Sequence, residues 1–423
     1  MKRTALGQAA RGLGLSFVLA VGAPACSDTS TRAVRTTGTS SPRFATSGVV
    51  PVSGLAARQA SAVAWTGRDL FVFGGYRSVG ATDRRDLLRD GAVIDVESGD
   101  AAGIRSAPFA GPLLFPAAAR SGASVVVAGI ECSDYRGEQD SDSYSCAKGS
   151  GRFALATVDP VARRWSTVAR LPSLDALRST PIWARGRTVP GSWISQVLGT
   201  ESGQTVIAVK HGDATGFWVH PPGAATLTQL PDPSATSDAC VSGDRVVVTT
   251  AHTGSGPGTE ASLRVLDLTE PDATWSDTSP TALGVGFAPQ LACLGTRVML
   301  TSRYGITGAD GRIFDLATQT WNDVATPPPN QVTSADGRTF SPPFYSSSEQ
   351  RLWTGAELLE LTDFANPVSS TLPPGRAYNP ATNSWRPLPP LPTPLASPQW
   401  AGSAVVGYTT DDARPVAVHY LPN

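Results

Sequence analysis

The sequence predicts an all-β chain assembled from repeated four-stranded units, and three observations carry that expectation. Glycine and proline are abundant (42 and 35 of 423 residues), while only 16% of residues are charged. With Val, Thr and Trp spread throughout, this balance favours many short strands joined by tight turns. Short apolar runs recur, each entered through a Gly- or Ser-Gly-containing turn. A turn built on Asp or Asn and answered by a tryptophan trails most of those runs. No convincing amphipathic helical stretch of about twelve residues follows residue 30.

The apolar runs set the register of the repeat. "AVAWTGRDLFVFGGY" (62–76) leads through a turn into Leu-Phe-Val-Phe with no polar break. Its opening, Trp65-Thr66-Gly67-Arg68-Asp69-Leu70, is echoed by Trp353-Thr354-Gly355-Ala356-Glu357-Leu358. Between and beyond these lie Ser124 to Ala128, Thr205 to Val209, Arg245 to Thr249, Arg297 to Thr301 and Ser403 to Val406. Each is short enough for a strand and reads as the second strand of its unit.

The second landmark has one form in "VDPVARRW" (158–165), "FDLATQTW" (314–321) and "YNPATNSW" (378–385). "LDLTEPDATW" (266–275) is the same with two residues inserted, and "IDVESGDA" (94–101) and "VHPPGAAT" (219–226) lack the tryptophan. The physics is that of a hairpin. The Asx side chain accepts from the backbone two residues on, Pro presets φ, and the Trp opens the returning strand where it can pack on a neighbouring sheet. The structural landmarks are therefore Asp159, Trp165, Asp267, Trp275, Asp315, Trp321, Asn379 and Trp385. Asp95 and His220 are weaker members of the series.

Strand, Gly turn, apolar strand, loop, strand ending in Asx-Pro, turn and Trp-led strand make one unit. Landmarks 47 to 64 residues apart give the period of a four-stranded propeller blade. The pattern resembles the kelch family, through the apolar strand ending in Gly74-Gly75 and the Tyr/Phe-Asp/Asn-Pro-x-Thr-x-x-Trp turn. The resemblance covers most of residues 44 to 423 and is weakest in the third unit. It implies a kelch-type β-propeller of four-stranded antiparallel blades. The final stretch, "SPQWAGSAVVGYTTDDARPVAVHYLPN", supplies three strands, and "RFATSGVVPVSGL" supplies one. Joined in one blade, these N- and C-terminal strands close the ring and remove its open sheet edges. Seven blades result, or six if the third unit is an insertion.

The N-terminal 25 residues read as an export signal. Lys2, Arg3 and Arg11 lead into an apolar run, Leu13 to Val21, which is too short to span a bilayer, and Ala23-Pro24-Ala25 then precedes Cys26. Cleavage by an ordinary signal peptidase leaves Cys26 as an incidental first residue. Alternatively "APAC" resembles the bacterial lipobox, with Ala23 where Leu is usual, and Cys26 is lipidated. Residues 26–43, rich in Ser and Thr, suit a flexible tether, which favours the second reading. Losing the signal moves the net charge from −1 to about −4. The expected location is the bacterial cell envelope, with the membrane touched only through the N-terminal lipid; the alternative is a soluble secreted or periplasmic protein.

Cys132 and Cys146 bracket a polar loop and are expected to form a disulfide in an exported protein. Cys240 and Cys293 hold equivalent positions in adjacent units, where they either bridge neighbouring blades or stay as two buried thiols. Around the first pair lie Glu131, Asp134, Glu138, Asp140 and Asp142. "DSDSYS" begins like a calcium loop but has Ser145 where glycine is needed and Gly151 where the bidentate Glu belongs. It reads as a solvated acidic loop.

The four histidines (His211, His220, His252, His419) include no i, i+4 pair, and there is no Cys-x-x-Cys, so no metal site is expected. No nucleophile elbow, Walker loop or dinucleotide fingerprint occurs, and no catalytic residue or cofactor is expected. The two histidines, two tyrosines and cysteine of the copper-radical oxidases on kelch-type propellers are not assembled here. Three lysines accompany 31 arginines with no basic stripe, which argues against nucleic acid. The functional expectation is a monomeric binding or scaffold module that presents its blade loops to a protein or carbohydrate ligand. The alternative is a sugar-active extracytoplasmic enzyme like the sialic-acid mutarotases of the kelch family. That reading requires Arg, Glu and His grouped at one channel mouth.

Overall fold

A computed structural model describes residues 44–422 except 79–84, 134, 137–144, 147–150, 171–180, 185–186, 191, 212–213, 234–235, 252–259, 271, 283–288, 303–310, 328–331, 334–338, 341–349, 362–374, 394 and 412–413. Cys26, Asp134, Glu138, Asp140 and Asp142 lie outside the described residues. The chain forms seven antiparallel sheets of four strands, a seven-bladed β-propeller.

Strands are given from the channel outward. Blade 1 holds Ala62–Trp65, Leu70–Phe73, Gly91–Ile94 and Ala101–Gly103, and blade 2 holds Leu113–Ser121, Ser124–Cys132, Gly151–Asp159 and Arg164–Arg170. Blade 3 holds Ser192–Gly199, Thr205–His211, Ala214–His220 and Thr228–Gln229. Blade 4 holds Thr236–Ser242, Arg245–Ala251, Glu260–Asp267 and Ser276–Asp277, and Thr281–Ala282 pairs with the start of its third strand, Glu260 with Ala282. Blade 5 holds Pro289–Leu294, Arg297–Ser302, Arg312–Asp315 and Thr320–Asp323. Blade 6 holds Gln350–Trp353, Leu358–Leu361, Arg376–Asn379 and Ser384–Pro387. Blade 7 holds Ala396–Trp400, Val405–Asp411 and Arg414–Tyr420, completed by Gly48–Pro51 from the other end of the chain.

The third unit is therefore a complete blade rather than an insertion, and the six-bladed alternative is excluded. It folds without a Trp turn because its third strand carries its own large apolar residues, Phe217 and Trp218, both buried.

The unbroken apolar runs follow from the packing. A second strand is covered on both faces, so alternate residues enter different cores. Leu70 and Val72 pack with Val406 and Tyr408 of blade 7, while Phe71 and Phe73 pack with Leu113, Val125 and Val127 of blade 2. Val246 and Val248 face blade 3, and Val247 faces blade 5. One buried cluster lies at each of the seven blade–blade boundaries. Each fully buried Val, Leu or Phe stabilises the fold by roughly 1.5–3 kcal/mol, so the runs hold the ring together.

The glycine pair has a steric reason. Gly74 and Gly75 sit at φ of 66° and 81°. A Cβ on Gly75 would lie 2.4 Å from the Gln59 carbonyl oxygen, so the chain passes the 52–61 connection only without a side chain.

Ring closure pairs Gly48 with His419 and Pro51 with Val416. The same segment continues into blade 1, where Ser53 N–H donates to Gly99 O and Ala101 N–H donates to Ser53 O. Cys240 and Cys293 form a disulfide between the inner strands of blades 4 and 5, the bridging alternative of the two foreseen.

Candidate functional site

Chain direction divides the connections between two ends of the ring. Side chain and backbone contacts between neighbouring inner strands advance together, Gln196 with Asp238 and Glu201 with Gly243, so these strands run parallel. In every blade the first-to-second and third-to-fourth turns therefore lie on one face. The second-to-third connections and the crossings to the next blade lie on the other.

The first face is made of tight turns, and its longest connection is 268–275. The two echoed turns there are built alike. Thr66 Oγ1 accepts from Arg68 and Asp69 N–H, and Thr354 Oγ1 accepts from Ala356 and Glu357 N–H. The Asx landmarks also sit here: Asp159 Oδ1 accepts from Val161 and Ala162, Asp315 Oδ1 from Ala317 and Thr318, Asn379 Oδ1 from Ala381 and Thr382, and Asp267 Oδ1 from Thr269.

The tryptophans act between blades. Trp165, Trp275, Trp321 and Trp385 donate Nε1–H to the carbonyls of Arg105, Pro231, Ser279 and Ala325 at 2.7–2.9 Å. Each acceptor lies two residues past the outer strand of the preceding blade. These landmarks are structural pegs.

The second face carries the long connections: 74–90, 133–150, 171–191, 303–311, 324–349 and 362–375. All four extra two-stranded hairpins among the described residues belong to it, including Tyr135–Arg136 paired with Ser145–Cys146. This is the loop face.

Buried ionic groups collect at the same end of the ring. In blade 6 they form a row from the channel outward. Arg351 on the inner strand forms an ion pair with Glu360, Nη2 to Oε1 at 3.0 Å, and donates Nη2–H to Thr301 Oγ1 of blade 5 at 2.6 Å. Glu360 on the second strand receives Arg376 Nε–H from the third at 2.6 Å, and the Arg376 guanidinium lies over the Trp385 ring at 4.8 Å. Burial alone would raise the Glu360 pKa; Arg376 and Arg351 outweigh it and hold the carboxyl below the ordinary glutamate range.

In blade 2, Glu131 is next to last on the second strand and accepts from Arg170 at 3.0 Å and from Ala110 N–H. The acidic-loop reading thus gives way at its one described member to a structural ion pair. Beside blade 1, the fully buried Arg58 donates to Gly74 O, Asp90 O and the Asp90 carboxylate. The turn-face pairs Arg245–Asp267, Arg297–Asp315 and Arg386–Glu357 are all partly exposed.

Asp238 stands at the channel itself. A bulge between Thr236 and Ala239 lifts it out of the ladder, and similar irregularities interrupt the inner strands of blades 2, 3 and 7. Its Oδ1 accepts from Gln196 Nε2 of blade 3 at 3.0 Å and from Ala239 N–H, and its Oδ2 accepts from Leu291 N–H of blade 5 at 2.7 Å. One carboxylate thus spans three inner strands. Burial raises its pKa, against the lowering effect of those donors and of the Arg351 charge. Gln290 precedes Leu291 on the next strand, and its Oε1 is buried without a partner among the described residues.

Sequence reasoning missed Gln196, Asp238, Gln290, Arg351, Glu360 and Arg376. The legible signal is a charge interrupting an apolar strand, as in Leu358-Leu359-Glu360-Leu361 and Ile130-Glu131-Cys132. Among the expected groups, Cys132 is buried and disulfide-bonded, and the Cys146 side chain lies outside the described residues. His220 contacts Ala224 O on the turn face, and His419 stacks on Phe44 at 4.4 Å, so neither approaches the ionic row. Among the described residues, no three His, Cys, Asp or Glu side chains group as metal ligands. No family model and no curated protein matches the chain.

Proposed function

We propose that this chain is an exported kelch-type binding or scaffold module, anchored by a lipid on Cys26 and spaced from the membrane by residues 26–43. Its partner docks on the loop face. One observation carries this reading: the long connections and the buried charged side chains Arg58, Glu131, Arg351 and Glu360 occupy one end of the ring, and tight turns occupy the other. A rigid scaffold presenting long loops on one side is an arrangement suited to recognition. The Cys240–Cys293 bridge fits an oxidising compartment. The four Trp pegs, each with the same partner position, fit a kelch-type repeat.

Photo-crosslinking in the parent cell envelope tests the docking face. Probes at Arg77 and Arg152 on the loop face are expected to give adducts, whereas probes at Val161 and Glu270 on the turn face are not. Equal yields from both faces would remove the proposal. Radiolabelled palmitate should enter the parent chain and be lost in Cys26→Ser; no label in the parent sinks the anchor.

A further inference from the structure

We infer that the loop-face mouth of the channel binds a neutral, polyhydroxylated ligand through Asp238 and Gln290, a reading that rests on the loop-face proposal. The layer offers acceptors. Asp238 is oriented by three N–H donors from three blades, and a carboxylate has lone pairs beyond those three bonds. Gln290 Oε1 is a buried acceptor with no donor on it among the described residues. A buried acceptor left open is costly unless something supplies a hydrogen. The layer is one residue deep, since Val197, Ala239 and Leu291 beside it are apolar and buried.

Charge selects the ligand class. Among the described residues of the layer, Asp238 and Glu360 balance Arg351 and Arg376. A cation approaching Asp238 meets the field of Arg351, which already acts on that carboxylate. An anion meets Asp238 itself, and the two arginines are engaged by Glu360. Hydroxyl groups bring donors without charge, which both Asp238 and Gln290 can accept. A free sugar and the end of a glycan chain share this chemistry.

Saturation-transfer NMR on the full chain tests this directly, using neutral hexoses, pentoses, N-acetylated sugars and their disaccharides. Analogues of the same rings bearing a carboxylate or an amine complete the panel. At least one neutral member is expected to bind, with affinity falling about tenfold or more in Gln290→Met and in Asp238→Asn and unchanged in Glu270→Ala. Disaccharide binding stronger than that of either monosaccharide assigns a glycan end, and equal binding assigns the free sugar. If Asp238→Asn does not fold, Gln290→Met alone is sufficient, because it keeps the side-chain length and removes the open acceptor. No transfer from any neutral member, stronger transfer from a charged analogue, or binding untouched by Gln290→Met would each overturn the inference. Loop-face crosslinks without sugar binding would defeat it while leaving the docking face in place.

Discussion

Glu360 shows how much one side chain carries in this ring. It lies almost fully buried between Arg351 and Arg376, on the strand between theirs. Removing its charge takes an anion from two interior guanidinium groups, and breaking such an assembly costs about 3–5 kcal/mol. Glu360→Gln should lose that amount at neutral pH in denaturant titrations. The pH dependence has a definite sign, because the folded carboxyl titrates below the unfolded one. Its contribution is complete above the ordinary glutamate range and is lost as pH falls through the lower folded value. The gap between parent and Glu360→Gln should therefore shrink in acid; a gap that stays constant contradicts the assigned ion pair. The Asp238 pKa is shifted the other way, raised by burial.

At the level of the element, the Asx hairpins explain themselves by backbone geometry. Four residues past the landmark the chain turns left-handed, at Gly99 (φ 79°), Arg163 (53°), Gln319 (54°) and Asn383 (48°). An L-residue in that region costs roughly 1–2 kcal/mol, a cost glycine avoids in exchange for a floppier unfolded chain. Gln319→Gly is expected to gain up to about 1 kcal/mol, read from the urea midpoint. Gly99→Ala should lose stability, because its Cβ would lie 2.1 Å from the Pro51 carbonyl oxygen. A loss in the first or a gain in the second would show that the turn is misassigned. Asn383 differs, since its Oδ1 also receives Tyr378 Oη–H and Ala325 N–H, and glycine there would cost both.

For the molecule as a whole, closure is the decisive event. Seven blade–blade cores form a complete circle, and two devices hold them. The first is the pairing of Gly48–Pro51 with Arg414–Tyr420. The second is the disulfide joining residues 53 apart in sequence, which contributes on the order of 4 kcal/mol by restricting the unfolded chain. Deleting residues 44–53 uncovers a sheet edge on blade 7 and removes the link to blade 1. The shortened chain is expected to elute larger than the parent in size-exclusion chromatography, as oligomers or aggregate. A monomeric, equally stable deletion would mean that the ring does not depend on its composite blade.

The repeat, the strand identity of each apolar run, the turn chemistry and the shared blade of the termini are all determined by sequence alone. Each depends on neighbours a few residues apart: a Gly turn before Leu-Phe-Val-Phe, an Asx before a Pro or a Thr, a Trp at fixed spacing. What the tertiary structure decided is different in kind. It completed a third blade whose turn has no Trp, chose the bridge for Cys240 and Cys293, and brought Asp238, Gln290 and the Arg351–Glu360–Arg376 row to one end of the channel. Those groups come from separate blades, and their meeting is set by how the inner strands bulge and stack around an axis. Local pattern fixes a strand and its two faces, whereas a site assembled across strands exists only once the circle has closed.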